Sequence, residues 1–216
     1  MFITFEGLDG AGKSTQIVRL KERLGKLAIP VVMTREPGGT AIGDALRQML
    51  LDPGQTQLSE QTETLLYAAS RAQLLHEVIK PALEKGALVI CDRYVDASIA
   101  YQGAGLGLGE EAVARVNAFA TSGLKPDLTL LMDLPVETSQ SRVAASARDV
   151  GPDRIEQRDE AYFERVRNAF MNIAVQEADR VAILDARLTP DELEQEIWHR
   201  VSKRLNIITD EKRDEE

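Results

Sequence analysis

The sequence predicts an α/β fold, a five-stranded parallel sheet with helices on both faces. Three observations carry that reading. Five short apolar runs, at 2–5, 30–34, 87–91, 128–132 and 181–184, are nearly continuous rather than alternating, as strands buried on both faces are. Helical stretches separate and follow them, which argues parallel pairing with crossovers. The 216 residues are 44% hydrophobic and 28% charged, an ordinary globular balance in a chain long enough to bury a core.

The elements follow in chain order. Strand 2–5 runs into a glycine-rich turn and a helix over 13–27, and strand 30–34 precedes a helix over 41–51. A long helix over 60–84 opens on Ser59-Glu60-Gln61-Thr62-Glu63, a cap residue with early acids. It closes on Lys85-Gly86, a cation and a glycine suited to a helix end. After strand 87–91, the run from Gly103 to Gly109 reads as a flexible loop, and helix 110–121 leads to strand 128–132. Helix 136–145 passes into a lid segment at about 144–158, where Gly151-Pro152 and flanking charges predict a mobile surface stretch. Helix 159–178 and strand 181–184 come next. Thr189-Pro190-Asp191-Glu192 combines a cap, Pro in the first turn and acids at the positive helix end, opening a helix over 190–205. Residues 1–209 read as a single domain and 210–216, DEKRDEE, as a solvated disordered tail.

Charge and cysteine content exclude several classes. The formal net charge of -9 argues against a nucleic-acid polymer as partner, since that needs a basic face; a small anion needs only a few local cations. The single Cys91 cannot form an internal disulfide or a Cys-rich zinc site and suits a reducing compartment. No apolar run approaches the ~20 residues of a membrane span, and the N-terminus lacks a basic signal region. The expectation is a cytoplasmic protein with no membrane partner.

Chemistry concentrates in Gly7-Leu8-Asp9-Gly10-Ala11-Gly12-Lys13-Ser14, which fits G-x-x-x-x-G-K-[ST] without mismatch between a strand and a helix. Such a loop turns backbone N–H groups toward phosphate oxygens, and the following helix adds its positive end. Lys13 is expected on the β- and γ-phosphates and the Ser14 hydroxyl on Mg²⁺. Asp92-Arg93 ends the third strand, at the sheet edge where α/β proteins bind ligands; Asp92 could hold Mg²⁺ directly or through water, and Arg93 could bridge two phosphates. The lid segment offers Arg142, Arg148, Arg154 and Arg158 for charge developing on a transferred phosphoryl group. Read alone, Asp92-Arg93 also fits a salt-bridged strand end, and the lid arginines fit a solvated helix end.

Taken together, five motifs resemble bacterial thymidylate kinases, of the P-loop nucleoside monophosphate kinase family. They are Phe5-Glu6 with the loop through Thr15, Thr34-Arg35-Glu36-Pro37-Gly38-Gly39-Thr40, Leu66-Tyr67-Ala68-Ala69-Ser70-Arg71, Asp92-Arg93-Tyr94 and Ser98-Ile99-Ala100-Tyr101-Gln102-Gly103. Asp153-Arg154-Ile155-Glu156 extends the match. The resemblance implies the three-layer P-loop NTPase fold with a lid and transfer of the ATP γ-phosphoryl group to dTMP with Mg²⁺. It also implies ATP on Gly7 through Thr15.

For the acceptor, the resemblance puts Tyr67 stacked on thymine, Arg71 on a thymine carbonyl, and Ser98 and Gln102 on the base edge. Tyr101 would press on C2′, Asp9 accept from the 3′-hydroxyl, and Pro37 pack on the nucleoside. Arg47, or as the weaker candidate Arg35, would clamp the acceptor phosphate, and Glu36 would orient the acceptor or a metal-bound water. Catalytic charge would come from Lys13, Arg93 and the lid arginines Arg154 and then Arg148, the lid pair because position 10 is Gly where some members carry an arginine. By themselves, Tyr67 fits a core aromatic and Asp9 a loop-shaping Asx turn. The resemblance also implies a homodimer; the Leu65, Leu66, Leu74, Leu75, Ile79 stripe fits either a core or such a face. Other readings are a kinase for another nucleoside monophosphate, or an ATP-dependent switch; no N-K-x-D guanine signature is present.

Overall fold

A computed structural model of the protein describes residues 1–146 and 151–207. Arg148 and the tail 210–216 fall outside the described residues. Five parallel strands form one sheet: β1 (Phe2–Glu6), β2 (Val31–Arg35), β3 (Leu88–Asp92), β4 (Leu128–Asp133) and β5 (Val181–Asp185), in the order β2-β3-β1-β4-β5. The helices are α1 (Lys13–Lys26), α2 (Ala41–Leu51), α3 (Glu60–Leu74), α4 (Lys80–Glu84), α5 (Val95–Ser98), α6 (Glu110–Thr121), α7 (Val136–Ala145), α8 (Glu160–Gln176) and α9 (Pro190–Arg204).

Side-chain alternation on the central strands divides the core. Ile3, Phe5, Ile90 and Leu130 pack with Leu20, Leu24, Ile197 and Trp198 from α1 and α9. On the opposite face Phe2, Val89 and Cys91 pack with Leu74 and Ile79. Leu131 packs there with Val166 and Phe170 of α8. Cys91 is a free, buried thiol, pushed up in pKa by burial, in keeping with an apolar packing role. The expectation of burial on both faces holds for β1, β3 and β4. The outer strands differ: Met33 and Arg35 of β2 and Ile183 of β5 are exposed, because each has a neighbour on one side only.

Two further departures from the sequence reading are local. The expected 60–84 helix is interrupted by a wide π turn at Leu75–Ile79. It lies just before Pro81, which has no N–H to offer a regular helix. The run read as a flexible loop from Gly103 is partly helical: Ile99–Gly105 forms a second π turn continuing α5. Gly105 is needed there, since a Cβ would lie 2.6 Å from the Tyr162 ring. The predicted caps form: Ser59 accepts from Thr62 N, and Thr189 and Glu192 make a reciprocal capping box. The leucine stripe splits, with Leu74, Leu75 and Ile79 in the core and Leu65 exposed.

The topology fixes where a ligand can bind. β1 lies between β3 and β4, so the chain leaves it in one direction for β2 and β3 and in the other for β4 and β5. The crevice beyond the C-terminal ends of the strands at such a reversal is the binding position of open α/β sheets. Glu6, Arg35 and Asp92, the last residues of β1, β2 and β3, all end there.

Candidate active site

The loop after β1 curls through left-handed glycines, Gly10 at φ 77° and Gly12 at φ 89°. A side chain at position 10 would bring its Cβ to 3.0 Å from the Ser139 carbonyl oxygen and 3.1 Å from Arg142 Cβ. An arginine there would be strained at this φ and would press on α7; Arg142, on α7, occupies the neighbouring space, and its guanidinium donates to the Gly10 carbonyl at 3.2 Å. Lys13 Nζ is folded onto the loop, donating to the carbonyls of Gly7 at 3.0 Å and Leu8 at 2.9 Å. Burial, reinforced by nearby Arg93, lowers its pKa below the usual lysine range.

Arg93 follows β3 with φ 69°, a left-handed conformation. It donates to the Gly7 carbonyl at 3.1 Å and to Asp9 Oδ1 at 2.9 Å, and it sits 4.9 Å over the Tyr101 ring. Asp92 turns into the same space, with Oδ1 buried and without a hydrogen-bond partner. Lys13, Ser14, Asp92, Arg93 and Arg142 line one cavity over the loop.

A second cavity adjoins it, lined by Pro37, Tyr67, Arg71, Ser98, Tyr101 and Gln102. Asp9, Glu36, Arg47 and Arg93 border both cavities. Arg47 donates to the Pro37 carbonyl at 3.0 Å, across a cis Glu36-Pro37 bond. Burial and the neighbouring Arg35 lower the Arg47 pKa. Glu36 is buried and pushed up to about 7 by desolvation, although the Arg71 guanidinium opposes that shift. Arg71 donates to Glu36 at 2.7 Å, Ser98 Oγ at 3.0 Å and the Tyr94 carbonyl at 3.0 Å, and also to Asn117. A second, ion-pair contact joins Nη2 to Glu36. Arg71 is thus held by four hydrogen bonds at the wall of the pocket, and Ser98, already accepting from Arg71, keeps its own O–H to donate.

The residue pattern expected for the phosphate loop and the acceptor pocket is thus assembled around one crevice. Arg154 is the exception. Its Nε donates to the Leu50 carbonyl at 2.8 Å and its Nη1 to Glu63 Oε2 at 2.8 Å, away from the phosphate loop. Arg142, named among the lid arginines but ranked behind Arg154 and Arg148, is the one that reaches the loop. One residue of consequence was not singled out for the site. Glu63 is fully buried and falls at i−4 from Tyr67 and i−8 from Arg71 on α3, a spacing that puts all three on one helix face.

A family model described as thymidylate kinase matches residues 5–197. The chain belongs to the thymidylate kinase family. A thymidylate kinase of Exiguobacterium sibiricum is 51% identical over 197 residues, covering 91% of each chain. One from Deinococcus radiodurans is 48% identical over 204 residues, covering 94% of this chain and 97% of the relative. The crystal structure of thymidylate kinase from Ehrlichia chaffeensis superposes with a TM-score of 0.75 at 30% identity, covering 94% of this chain and 98% of that one. The five-stranded parallel architecture is therefore the thymidylate kinase fold. Among the described residues, no helix is long and apolar enough to cross a membrane.

Proposed function

We propose that the protein phosphorylates dTMP with ATP, giving dTDP and ADP on the route to dTTP. The observation that carries this is the pair of adjoining cavities, one over a phosphate loop and one lined for a nucleoside, which meet at Asp9, Glu36, Arg47 and Arg93. An acceptor phosphate oxygen attacks the γ-phosphorus there, and the bond to the β–γ bridging oxygen breaks, with its electron pair leaving on ADP. No protein nucleophile is required; alignment and neutralisation of charge do the work.

Lys13 exchanges its two carbonyl partners for the β- and γ-phosphates, and Arg93 spans donor and acceptor. Arg47, backed by Arg35, holds the acceptor phosphate, while Asp9 takes the 3′-hydroxyl and Glu36 orients the acceptor. Tyr67 stacks on thymine, Pro37 packs on the nucleoside, and Ser98, Arg71 and Gln102 read the base edge. Tyr101, packed edge-on against Tyr162 and Phe170, is braced to exclude a 2′-hydroxyl. The loop through Thr15 cradles ATP by its backbone. Mg²⁺ fits the buried, unpartnered Asp92 Oδ1 together with Ser14, which lines the same cavity. When bound, the ion neutralises phosphate charge. Lid arginines complete the charge around the transferring group: Arg142 from its observed position, Arg148 and Arg154 if the lid brings them over.

The rest of the reading is a single domain over 1–209 that works in the cytoplasm as a homodimer. Exposed apolar side chains on neighbouring helices support the dimer: Ile42 and Met49 on α2, Leu65 on α3 and Phe119 on α6. The test is a coupled ADP-release assay across nucleoside monophosphates. Turnover highest with dTMP is expected; a clear preference for another acceptor, or no acceptor-dependent turnover, overturns the reading.

A further inference from the structure

We propose that Glu63 selects pyrimidines that carry an N3–H, as a positioning residue that fixes which end of the Gln102 side-chain amide is presented to the base. The inference rests on the acceptor-pocket reading above and deepens it. Glu63 is fully buried, and its two oxygens are used differently. Oε2 accepts from Arg154 Nη1 at 2.8 Å and from Arg158 Nη2 at 3.3 Å. Oε1 accepts from Gln102 Nε2 at 3.1 Å.

The chemistry of the pair removes the usual ambiguity of an amide side chain. An ionised carboxylate only accepts. The Gln102 atom against it must therefore be the amide nitrogen, since a carbonyl oxygen there would be repelled. That leaves the Gln102 carbonyl as the end available to the acceptor pocket, which Gln102 lines beside Tyr67, Ser98 and Arg71. A carbonyl pairs with N3–H of thymine or uracil. It meets a lone pair at N3 of cytosine, which has no hydrogen to give. A site built for one hydrogen-bond polarity discriminates strongly because the wrong partner leaves a buried group unpaired.

Glu63→Gln tests this. The substitution is isosteric, but a neutral amide at 63 can meet either end of Gln102, so both ends can face the base. The readout is the ratio of kcat/KM for dTMP to that for dCMP. The expected result is a fall in that ratio by at least about tenfold, through a higher KM for dTMP and a lower one for dCMP. Any effect of releasing Arg154 and Arg158 that does not pass through Gln102 bears on both substrates alike and cancels in the ratio, so a purely structural role leaves it unchanged. A folded Glu63→Gln protein with the wild-type ratio overturns the inference. Should that variant not fold, Gln102→Leu in the otherwise unaltered chain must lose the preference for dTMP over dCMP; a retained preference overturns it equally. Wild-type protein that fails to use dTMP at all strikes the proposed function instead, which keeps the two failures apart.

Discussion

The Arg71 guanidinium lies 2.5 Å from the Glu36 carboxylate, and both side chains are 2% exposed. The pair joins α3 to the turn after β2 and lies under the acceptor pocket. Burial nonetheless pushes Glu36 up to about 7, so desolvation outweighs the guanidinium. Arg71→Met should remove the compensating charge and cost roughly 3–5 kcal/mol, read by urea unfolding. An acid whose folded pKa is raised contributes stability below its unfolded pKa and loses it as pH rises through the folded value. The loss in Arg71→Met should therefore be smaller at pH 5 than at pH 8. An equal loss at both would mean that lost packing, not the unpaired carboxylate, sets the cost.

Glu6 makes a second, independent pH prediction. It is fully buried at the end of β1 and raised from 4.5 to about 8, first by desolvation and then by Asp96. One oxygen accepts from Tyr94 N at 2.8 Å; the other has no partner. The folded state binds this proton more tightly than the unfolded chain, so stability falls as pH rises from about 4.5 to about 8. Glu6→Gln keeps the acceptor for Tyr94 and removes the titration. The two proteins should melt together near pH 5. The variant should be the more stable at pH 9, by roughly 5 kcal/mol at about 1.4 per pKa unit. Parallel pH profiles would place the Glu6 pKa near its ordinary value.

These two carboxylates mark the limit of what the sequence discloses. The strands and most helices were legible because burial on both faces writes an unbroken apolar run, and because caps such as Thr189 with Glu192 act within four residues. The phosphate loop was legible because backbone geometry demands glycine at fixed spacing. Glu63 was not, since its partners Gln102, Arg154 and Arg158 lie about 40 to 95 residues away; no local pattern encodes such a meeting. The same holds for Arg71. Its position on the Tyr67 face follows from helical period, but the filling of its donors by Glu36, Ser98, Asn117 and Tyr94 is purely tertiary. The π turn at Ile99–Gly105 hid behind glycines that read as a loop, although close packing against Tyr162 is what requires Gly105.

Lys13 and Arg93 carry the clearest kinetic prediction. Both donate to the Gly7 carbonyl, and both line the cavity over the loop. Lys13→Ala and Arg93→Ala should each lower kcat by about 10³-fold or more, while thermal melts show a folded protein. Substantial turnover in either variant would remove that residue from the transfer step.

Phe119 is 91% exposed on α6, and Leu65 is 57% exposed on α3. If these side chains are covered by a second copy, Phe119→Glu buries a charge in the interface and should convert a dimer to a monomer in light scattering at micromolar protein. A wild-type chain that runs as a monomer there would dismiss the dimer. A charged variant that stays dimeric would move the interface to another face.

Arg142 and Arg154 can be told apart by kinetics. Arg142 lines the phosphate cavity and touches the Gly10 and Ala186 carbonyls. Arg154 is tied to the acceptor side through Glu63 and the Leu50 carbonyl, and its backbone N–H donates to the Leu51 carbonyl at 3.1 Å. A contact that strengthens only in the transition state lowers kcat when lost, whereas uniform binding appears in KM. With the observed placements, Arg142→Ala should act chiefly on kcat. Arg154→Ala should act chiefly on the KM for dTMP, by about tenfold, because Glu63 then keeps one guanidinium partner and holds Gln102 less firmly. The opposite pattern, a kcat collapse in Arg154→Ala with dTMP binding intact, would mean that Arg154 leaves Glu63 during the cycle. The lid would then have to carry it to the transferring phosphoryl group, as the sequence reading expected.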